Sequence, residues 1–541
     1  PSMNPRYSSL SKPKIAYDKY VRLIDPVETG LTAKQIELLR LIGKNDAVPL
    51  RDLKSPTIVQ KLIEAKRVEL FKKERIRLVL PDISLSKPPK LTKDQQAVVD
   101  EFLTTNHDVF LLEGVTGSGK TEVYLSIAES ILSLGKTVLM LVPEIALTSV
   151  MVEYFLARFK NQVAILHSEL TPSEKYDEYR RIARGECSIV VGARSAIFAP
   201  LSSIGLIILD EEHVESYKQD SLPFYHARDV AIMRIKEHGG KLLLGSATPC
   251  LESKARALKH VYHHLHLPNR INQKDLPETR IIDMLNPYHL DPKSSLFSKD
   301  LQQAMLATLA RKEQIILLIN RRGYSTYLSC RSCGHVFRCP DCQTTLTYHR
   351  EDNMLKCHHC DHVETMVARC PACDSPHLAK SGFGTERIQK EIEKLYPEAR
   401  TLRLDSDTGK VRMNIAKTIE AFRHQEADIL IGTQMIAKGH DFPNVTLVGI
   451  VLADIGLTLP SYRSAERTFQ LITQAVGRSG RSDKKGIAII QTNMPKHYAV
   501  TLGAKQDYQA FFNQEMLIRR EAQEPPFIFT MSLQISAKEE E

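Results

Sequence analysis

From Leu91 to about Leu265, short unbroken apolar runs alternate with longer stretches in which apolar residues recur at helical spacing. The runs are Val109–Glu113, Val138–Val142, Val163–Leu166, Ile189–Val191, Leu206–Leu209 and Leu242–Leu244. A strand wetted on one face alternates apolar and polar positions, whereas a strand covered on both faces does not. These runs therefore predict a parallel sheet with helices on both faces. A proline-rich stretch from Pro268 to Pro292 interrupts the pattern. It resumes at Ile315–Ile319, Ile429–Ile431, Val445–Leu452 and Ile487–Ile490, predicting a second α/β lobe.

Outside these lobes the periodicity changes. Thr32-Ala33-Lys34-Gln35 has the form of a capping box before Ile36, Leu38, Leu39 and Ile42, with Gly43 placed to end the helix. Ser55-Pro56 reads as the N-cap and first-turn proline of a second helix through Ile63. Val68–Phe71 and Ile76–Leu80 flank the charged Lys72-Lys73-Glu74, the pattern of a basic hairpin. Helix, helix and hairpin predict a winged helix, and Ser84–Lys90, with Pro88-Pro89, reads as a linker. After Met494, a helical stretch from Tyr498 to Glu521 precedes Pro525-Pro526 and a strand-like run from Phe527 to Ile535. One strand makes no domain, so the chain is expected to stop inside a further one. The predicted division is 1–86, 87–268, 269–495 with an insertion at 328–378, and 496–541.

Composition alters this picture in two places. Hydrophobic content of 43% and charged content of 25% are those of a globular chain, and no apolar run approaches the roughly 20 residues of a membrane span. Pro1–Tyr20 lacks the apolar core of a signal peptide, so a cytoplasmic location is expected, with no membrane partner. Charge is unevenly placed: residues 1–90 hold 12 Lys and 7 Arg against 5 Asp and 5 Glu, which accounts for the whole net charge of +9. A basic module beside a neutral one points to a salt-sensitive nucleic-acid contact.

Cysteine is the second place. Eight of the ten cysteines form four C-x-x-C pairs, Cys330/Cys333, Cys339/Cys342, Cys357/Cys360 and Cys370/Cys373, enough for two closed tetrahedral Zn²⁺ sites of structural type. Three pairings are open. The spacing favours the nested one, because Cys339, Cys342, Cys357 and Cys360 enclose fourteen residues, close to a zinc-ribbon interval. Cys330, Cys333, Cys370 and Cys373 would then share the other ion. Cys187 and Cys250 are expected to be buried thiols.

Three motifs carry chemistry. Gly114-Val115-Thr116-Gly117-Ser118-Gly119-Lys120-Thr121 fits the phosphate loop, with bare backbone amides for phosphate oxygens, Lys120 for the β/γ charge and Thr121 for Mg²⁺. Asp210-Glu211-Glu212-His213 ends an apolar run, where Asp210 can hold Mg²⁺ and Glu211 can orient the attacking water. Gln474-Ala475-Val476-Gly477-Arg478-Ser479-Gly480-Arg481 offers Arg478 and Arg481 to the γ-phosphate.

Further blocks lie between and around these: Leu91-Thr92-Lys93-Asp94-Gln95, Val142-Pro143-Glu144-Ile145-Ala146-Leu147-Thr148, Gly192-Ala193-Arg194-Ser195, Gly245-Ser246-Ala247-Thr248-Pro249, Asn320-Arg321-Arg322-Gly323, Gly432-Thr433-Gln434-Met435 and Lys438-Gly439-His440. In this order they resemble the DEAH-like branch of superfamily-two helicases, and most nearly the bacterial primosomal replication-restart helicases. The resemblance implies two RecA-like P-loop lobes and a 3′→5′ DNA translocase and helicase acting at stalled forks. ATP with Mg²⁺ would be held by Gln95 and the phosphate loop. The implied partners are forked and single-stranded DNA, single-stranded DNA-binding protein and other primosome proteins, with the chain acting as a monomer. Tyr217, Lys218, Phe224, Tyr225 and Arg228 match the family's aromatic-rich loop that senses single-stranded DNA, and His213 is expected near the hydroxyls of Ser246 and Thr248. Family members also begin with a domain that captures a 3′ DNA end, which is expected to be missing here. The motor blocks alone also fit a duplex-DNA translocase or an RNA helicase. A zinc-dependent assembly scaffold, with ATP as a conformational switch, is the reading from another class.

Overall fold

The computed structural model describes residues 13–531 except 54, 81–82, 86, 144–149, 169, 272–275, 320–326, 331–334, 341–345, 350–351, 358–361, 382–384, 405–411, 434–435, 437–441, 460 and 481–483. The amino-terminal module is a three-stranded antiparallel sheet with two helices. β1 (Ala16–Leu23) is its centre. Then follow α1 (Ala33–Gly43), β2 (Val48–Pro49), α2 (Pro56–Glu64) and β3 (Val68–Arg75), in the sheet order β2-β1-β3. The expected caps hold: Gln35 Oε1 accepts the Thr32 N–H at 2.7 Å, and α2 starts at Pro56. Val21, Leu39, Ile42, Val59, Leu62 and Val68 form the core.

The basic hairpin is not there. Lys72-Lys73-Glu74 is the interior of β3, which runs unbroken to Arg75 and pairs along its length with β1. One of the charges that looked like a turn has an opposite charge across the sheet. Lys73 faces Asp18 in register, and its ammonium lies 5.5 Å over the Tyr20 ring. A strand ahead of the first helix supplies the partner that the expected hairpin drew from Ile76–Leu80.

In the first lobe the elements run α3 (Lys93–Thr104), β4 (Val109–Gly114), α4 (Lys120–Ser133), β5 (Thr137–Leu141), α5 (Val150–Phe159), β6 (Val163–Leu166), α6 (Pro172–Ala183), β7 (Ile189–Gly192) and β8 (Ile204–Asp210). A small hairpin of β9 (Lys218–Gln219) and β10 (Tyr225–His226) precedes α7 (Ala227–His238), β11 (Lys241–Ser246), α8 (Leu251–Leu258) and β12 (His263–Leu267). The seven long strands form one parallel sheet, β12-β4-β11-β8-β5-β7-β6, with an apolar cluster on each face. All six predicted runs are strands of it.

In the second lobe β13 (Glu278–Asp283), the hairpin β14 (Leu290–Asp291) and β15 (Ser294–Ser298), α9 (Lys299–Ala310) and β16 (Gln314–Ile319) come first. A cysteine-bearing insertion carries β17 (Tyr327–Cys330), β18 (Thr347–His349), β19 (Met354–Lys356), β20 (Val363–Thr365) and β21 (Leu378–Ser381). The lobe resumes with α10 (Thr385–Leu395), β22 (Thr401–Leu404), α11 (Arg412–Arg423), β23 (Ile429–Gly432), β24 (Val445–Val451), α12 (Ser464–Val476) and β25 (Ile487–Thr492). Its parallel sheet is ordered β13-β25-β24-β16-β23-β22, so the proline-rich stretch read as a break contributes an edge strand. The tail makes two helices, α13 (Tyr498–Lys505) and α14 (Tyr508–Glu521), where one was expected. They are separated at Gln506, whose φ of 55° no helix tolerates. Residues 527–531 form no strand, and the rest of that expected run lies outside the described residues.

Two ties bind the amino-terminal module to the first lobe. Arg77 Nη1 meets both carboxylate oxygens of Asp177 at 2.8 and 2.9 Å, and Glu74 pairs with Arg180 and Arg184. Asp177 is wholly buried. Removing its partner strands a buried charge at a cost of about 3 kcal/mol. Arg77→Ala is therefore expected to loosen the module, with limited proteolysis cutting faster around Ser84–Lys90 while both lobes stay resistant.

Candidate active site at the interlobe cleft

The phosphate loop is the turn between β4 and α4. Gly117 and Gly119 have φ of 84° and 77°, a conformation that a side chain resists. A Cβ at Gly119 would lie 2.3 Å from Gln95 Nε2. That closeness is functional, because Gln95 Nε2 donates to the Ser118 carbonyl at 3.0 Å while its Oε1 accepts the Thr92 N–H at 2.9 Å. Gln95 thus holds the loop from behind. Lys120 Nζ donates to the Gly114 carbonyl at 2.7 Å and so lies along the loop. The donor set fits a polyphosphate: amides at a helix N-terminus, a lysine and Thr121 in the first turn.

Asp210 ends β8, and Glu211 follows with φ of 48°, a strained backbone for a non-glycine residue. Tyr124 OH donates to Asp210 Oδ1 at 3.0 Å. Tyr124 was not foreseen, and the one signal for it was Gly245 opposite, where a Cβ would fall 1.8 Å from the hydroxyl. Burial, then the Glu211 carboxylate, raise the Asp210 carboxyl to about 7 against the pull of Lys120. A cation placed between Asp210 and Thr121 would relieve that repulsion.

The remaining members of the DEEH block reach outward. Glu212 is buried and accepts the Cys250 N–H at 2.7 Å and the Ser253 hydroxyl at 2.9 Å. Gln474 Nε2, a pure donor, lies 3.1 Å from His213 Nε2, which fixes the proton on Nδ1. Nδ1 donates to Ser246 Oγ at 2.7 Å, and that oxygen also accepts the Thr248 N–H at 3.0 Å. The expected His213–Ser246 contact is present, and a second-lobe glutamine completes it. Thr116 of the phosphate loop packs within 3.1 Å of the Cβ position of Gly477, and Arg478 is buried beside it. A cavity of about 380 Å³ opens here between Thr116, Ala247, Thr473 and Tyr508. Arg481, Arg321, Gln434 and the Lys438–His440 block lie outside the described residues.

The aromatic loop divides. Phe224 is 67% exposed and Lys218 is exposed, at the hairpin of β9 and β10. Tyr225 is half-covered, edge-on to Phe198 at 5.1 Å. Tyr217 and Arg228 are corrections. Tyr217 is fully buried, and its hydroxyl donates to the Leu141 and Asp210 carbonyls at 3.0 and 2.6 Å. Arg228 turns inward to Ser253 Oγ at 3.3 Å and Glu212 at 4.0 Å. Both support the DEEH strand end from below, and Tyr217 has no face left open to solvent.

In the insertion, Cys330, Cys370 and Cys373 bring their sulfurs within 4.8 Å of one another, and Cys330 and Cys373 stand 3.6 Å apart. A disulfide would need about 2.05 Å, whereas two thiolates on one tetrahedral Zn²⁺ at about 2.3 Å are separated by about 3.8 Å. The donors fit a shared ion. The N–H of Cys330, Cys357 and Cys370 each donates to the carbonyl five residues on, at 2.8 to 2.9 Å. Cys339 and Cys357 sit together in the insertion's core; Cys333, Cys342 and Cys360 lie outside the described residues. Cys187 and Cys250 are buried as expected.

Comparison with known proteins agrees with this geometry. Residues 92–256 match the DEAD/DEAH box helicase model, 339–364 the PriA DNA helicase Cys-rich region domain, and 383–483 the helicase conserved C-terminal domain. The replication restart protein PriA of Bacillus subtilis is 48% identical over 458 residues, 84% of this chain and 57% of that protein. Its Synechocystis counterpart is 44% identical over 87% of this chain and 58% of that protein, and the Rickettsia typhi one 40% identical over 83% and 69%. The chain belongs to the PriA family. Its two parallel-sheet lobes are the RecA-like helicase lobes of that family, although it spans under three-fifths of the first two relatives' length. No helix among the described residues is long and apolar enough to cross a membrane.

Gly119→Ala places a methyl against Gln95 and imposes φ of 77° on an L-residue. At about 1–3 kcal/mol of strain, nucleotide affinity is expected to fall about tenfold or more, read by titration with a fluorescent ATP analogue.

Proposed function

We propose that this chain is the motor of an ATP-dependent 3′→5′ DNA helicase that works at stalled forks in replication restart. Its division is 1–86, 87–268, 269–495 and 496–541. The observation that carries the reading is the bond from Gln474 to His213: it joins the helix that leads into Arg478 in one lobe to the block that bears the carboxylates of the other. ATP with Mg²⁺ supplies the phosphoryl group. Gln95, the phosphate loop and Lys120 bind it, Thr121 and Asp210 hold the cation, Glu211 orients water, and Arg478 with Arg481 offset the charge that develops on the γ-phosphate. Lys218, Phe224 and Tyr225 form the surface that meets single-stranded DNA, since exposed aromatic faces stack on bases and cations meet phosphates. The basic amino-terminal module is a winged helix that adds a salt-sensitive DNA contact. Forked DNA, single-stranded DNA-binding protein and other primosome proteins are its partners, in the cytoplasm, with the chain acting as a monomer.

Lys120→Ala and Glu211→Gln are expected to abolish turnover and leave DNA affinity within about threefold, because DNA is gripped by surfaces remote from the phosphate loop. ATPase and unwinding should be assayed side by side on forked DNA, single-stranded DNA and RNA. Turnover stimulated by RNA alone would make this an RNA helicase, and turnover without strand separation a translocase.

The insertion binds two zinc ions, one on Cys330, Cys333, Cys370 and Cys373 and one on Cys339, Cys342, Cys357 and Cys360. Closed thiolate sites leave no open position, so the metal is structural. Replacing Cys339 and Cys342 by Ser should release one ion per chain, with single-stranded-DNA-dependent ATPase outlasting fork unwinding. Native mass spectrometry giving fewer than two ions in the parent would refute the stoichiometry.

A further inference from the structure

Helix α12 turns one face to the first lobe. Glu466, Gln470 and Gln474, spaced four residues apart, meet the Leu251 N–H, the Thr248 carbonyl and His213. Gln474 touches the DEEH block directly, and Glu466 reaches it by another route. Glu466 Oε1 accepts the Leu251 N–H at 3.1 Å, at the first residue of α8, while the preceding N–H, that of Cys250, goes to Glu212 Oε1 at 2.7 Å. Two carboxylates, one from each lobe, thus hold successive amides at the start of one helix. The other oxygen of Glu466 accepts from Arg519 at 2.8 Å and faces Arg463 at 3.5 Å, and Arg463 also pairs with Glu252 in the first turn of α8. Arg519, from α14, is wholly buried.

We propose that Glu466 is a positioning residue for ATP hydrolysis. Through the N-terminus of α8 it fixes Glu212, and with it the adjoining Glu211, as the second lobe closes; Arg519 holds its carboxylate in place for that contact. The inference rests on the ATPase reading above. Glu466 lies about three turns along α12 from Gly477, where the phosphate loop packs. Its loss therefore acts on the hydrolytic step and spares nucleotide binding. Without it, the Leu251 N–H is left unpartnered in the closed arrangement, and Arg519 keeps only Glu515 and the Tyr462 and Pro525 carbonyls.

The test is steady-state ATP hydrolysis with saturating single-stranded DNA in the parent, Glu466→Ala and Glu466→Gln. Glu466→Ala is expected to lower kcat about tenfold, as for an unpartnered buried donor, with KM for ATP changed less than about twofold. Glu466→Gln keeps an acceptor for the Leu251 N–H and is expected to fall only about threefold. A parental kcat in Glu466→Ala, or an equal loss of nucleotide affinity in a folded protein, overturns the proposal. If Glu466→Ala fails to fold, Glu466→Gln decides alone: a threefold loss at unchanged KM supports the proposal, and parental kcat overturns it. A parent lacking DNA-stimulated turnover overturns the motor reading and this inference together, whereas normal stimulation in parent and variants removes the inference only.

Discussion

A helix covered on nearly all sides must find partners for its polar side chains inside protein, and α12 finds them across the cleft. Arg463, Glu466, Arg467, Gln470 and Gln474 bond to Glu252, the Leu251 N–H, Glu215, the Thr248 carbonyl and His213 of the first lobe. An apolar seam of the same area would be held by water exclusion and would stay shut. A polar one exchanges protein partners for water as it opens, so each bond is worth only about 1 kcal/mol net. Leaving one half-made inside a closed cleft costs more. The closed arrangement partners these five side chains, an open one would hydrate them instead, and Leu251 clustered with Phe469 adds an apolar contact to the same seam.

That balance can be set without disturbing either lobe, because each has its own parallel sheet and its own apolar clusters. The chemistry is placed on the rims. Asp210, Glu211 and Glu212 stand at the carboxyl end of β8, where a parallel sheet opens onto its loops. The strain at Glu211 is held from beneath by Tyr217, whose hydroxyl bonds to the carbonyl of the residue before it. The C-terminal helices close the ring: Tyr508 donates to the Pro249 carbonyl at 2.8 Å, and Phe511 stacks on Phe469 of α12 at 4.2 Å.

The lobes and the phosphate loop were legible because buried parallel strands are unbroken apolar runs and the loop has a fixed glycine pattern. β1 was not, since Ala16-Tyr17-Asp18-Lys19-Tyr20 alternates charge with aromatics and an exposed strand reads like a loop. Nor was β12, an edge strand whose three histidines mask its register. The aromatic loop was half legible. Sequence marks Tyr217 and Phe224 alike as aromatics after the DEEH block, and only the packing decides that one faces the core and the other solvent. Gln474 was visible in its block, but a partner in the other lobe leaves no local trace.

The ties between the amino-terminal module and α6 constrain motion as well as stability. Asp177, Arg180 and Arg184 span two turns of one helix, and a body fixed at points so separated cannot pivot about either. The ties make the module ride with the lobe that carries the phosphate loop rather than with the second lobe. Any swing between the lobes is then geared to one side alone: the second lobe and its cysteine-bearing insertion move against a unit made of the module and the first lobe.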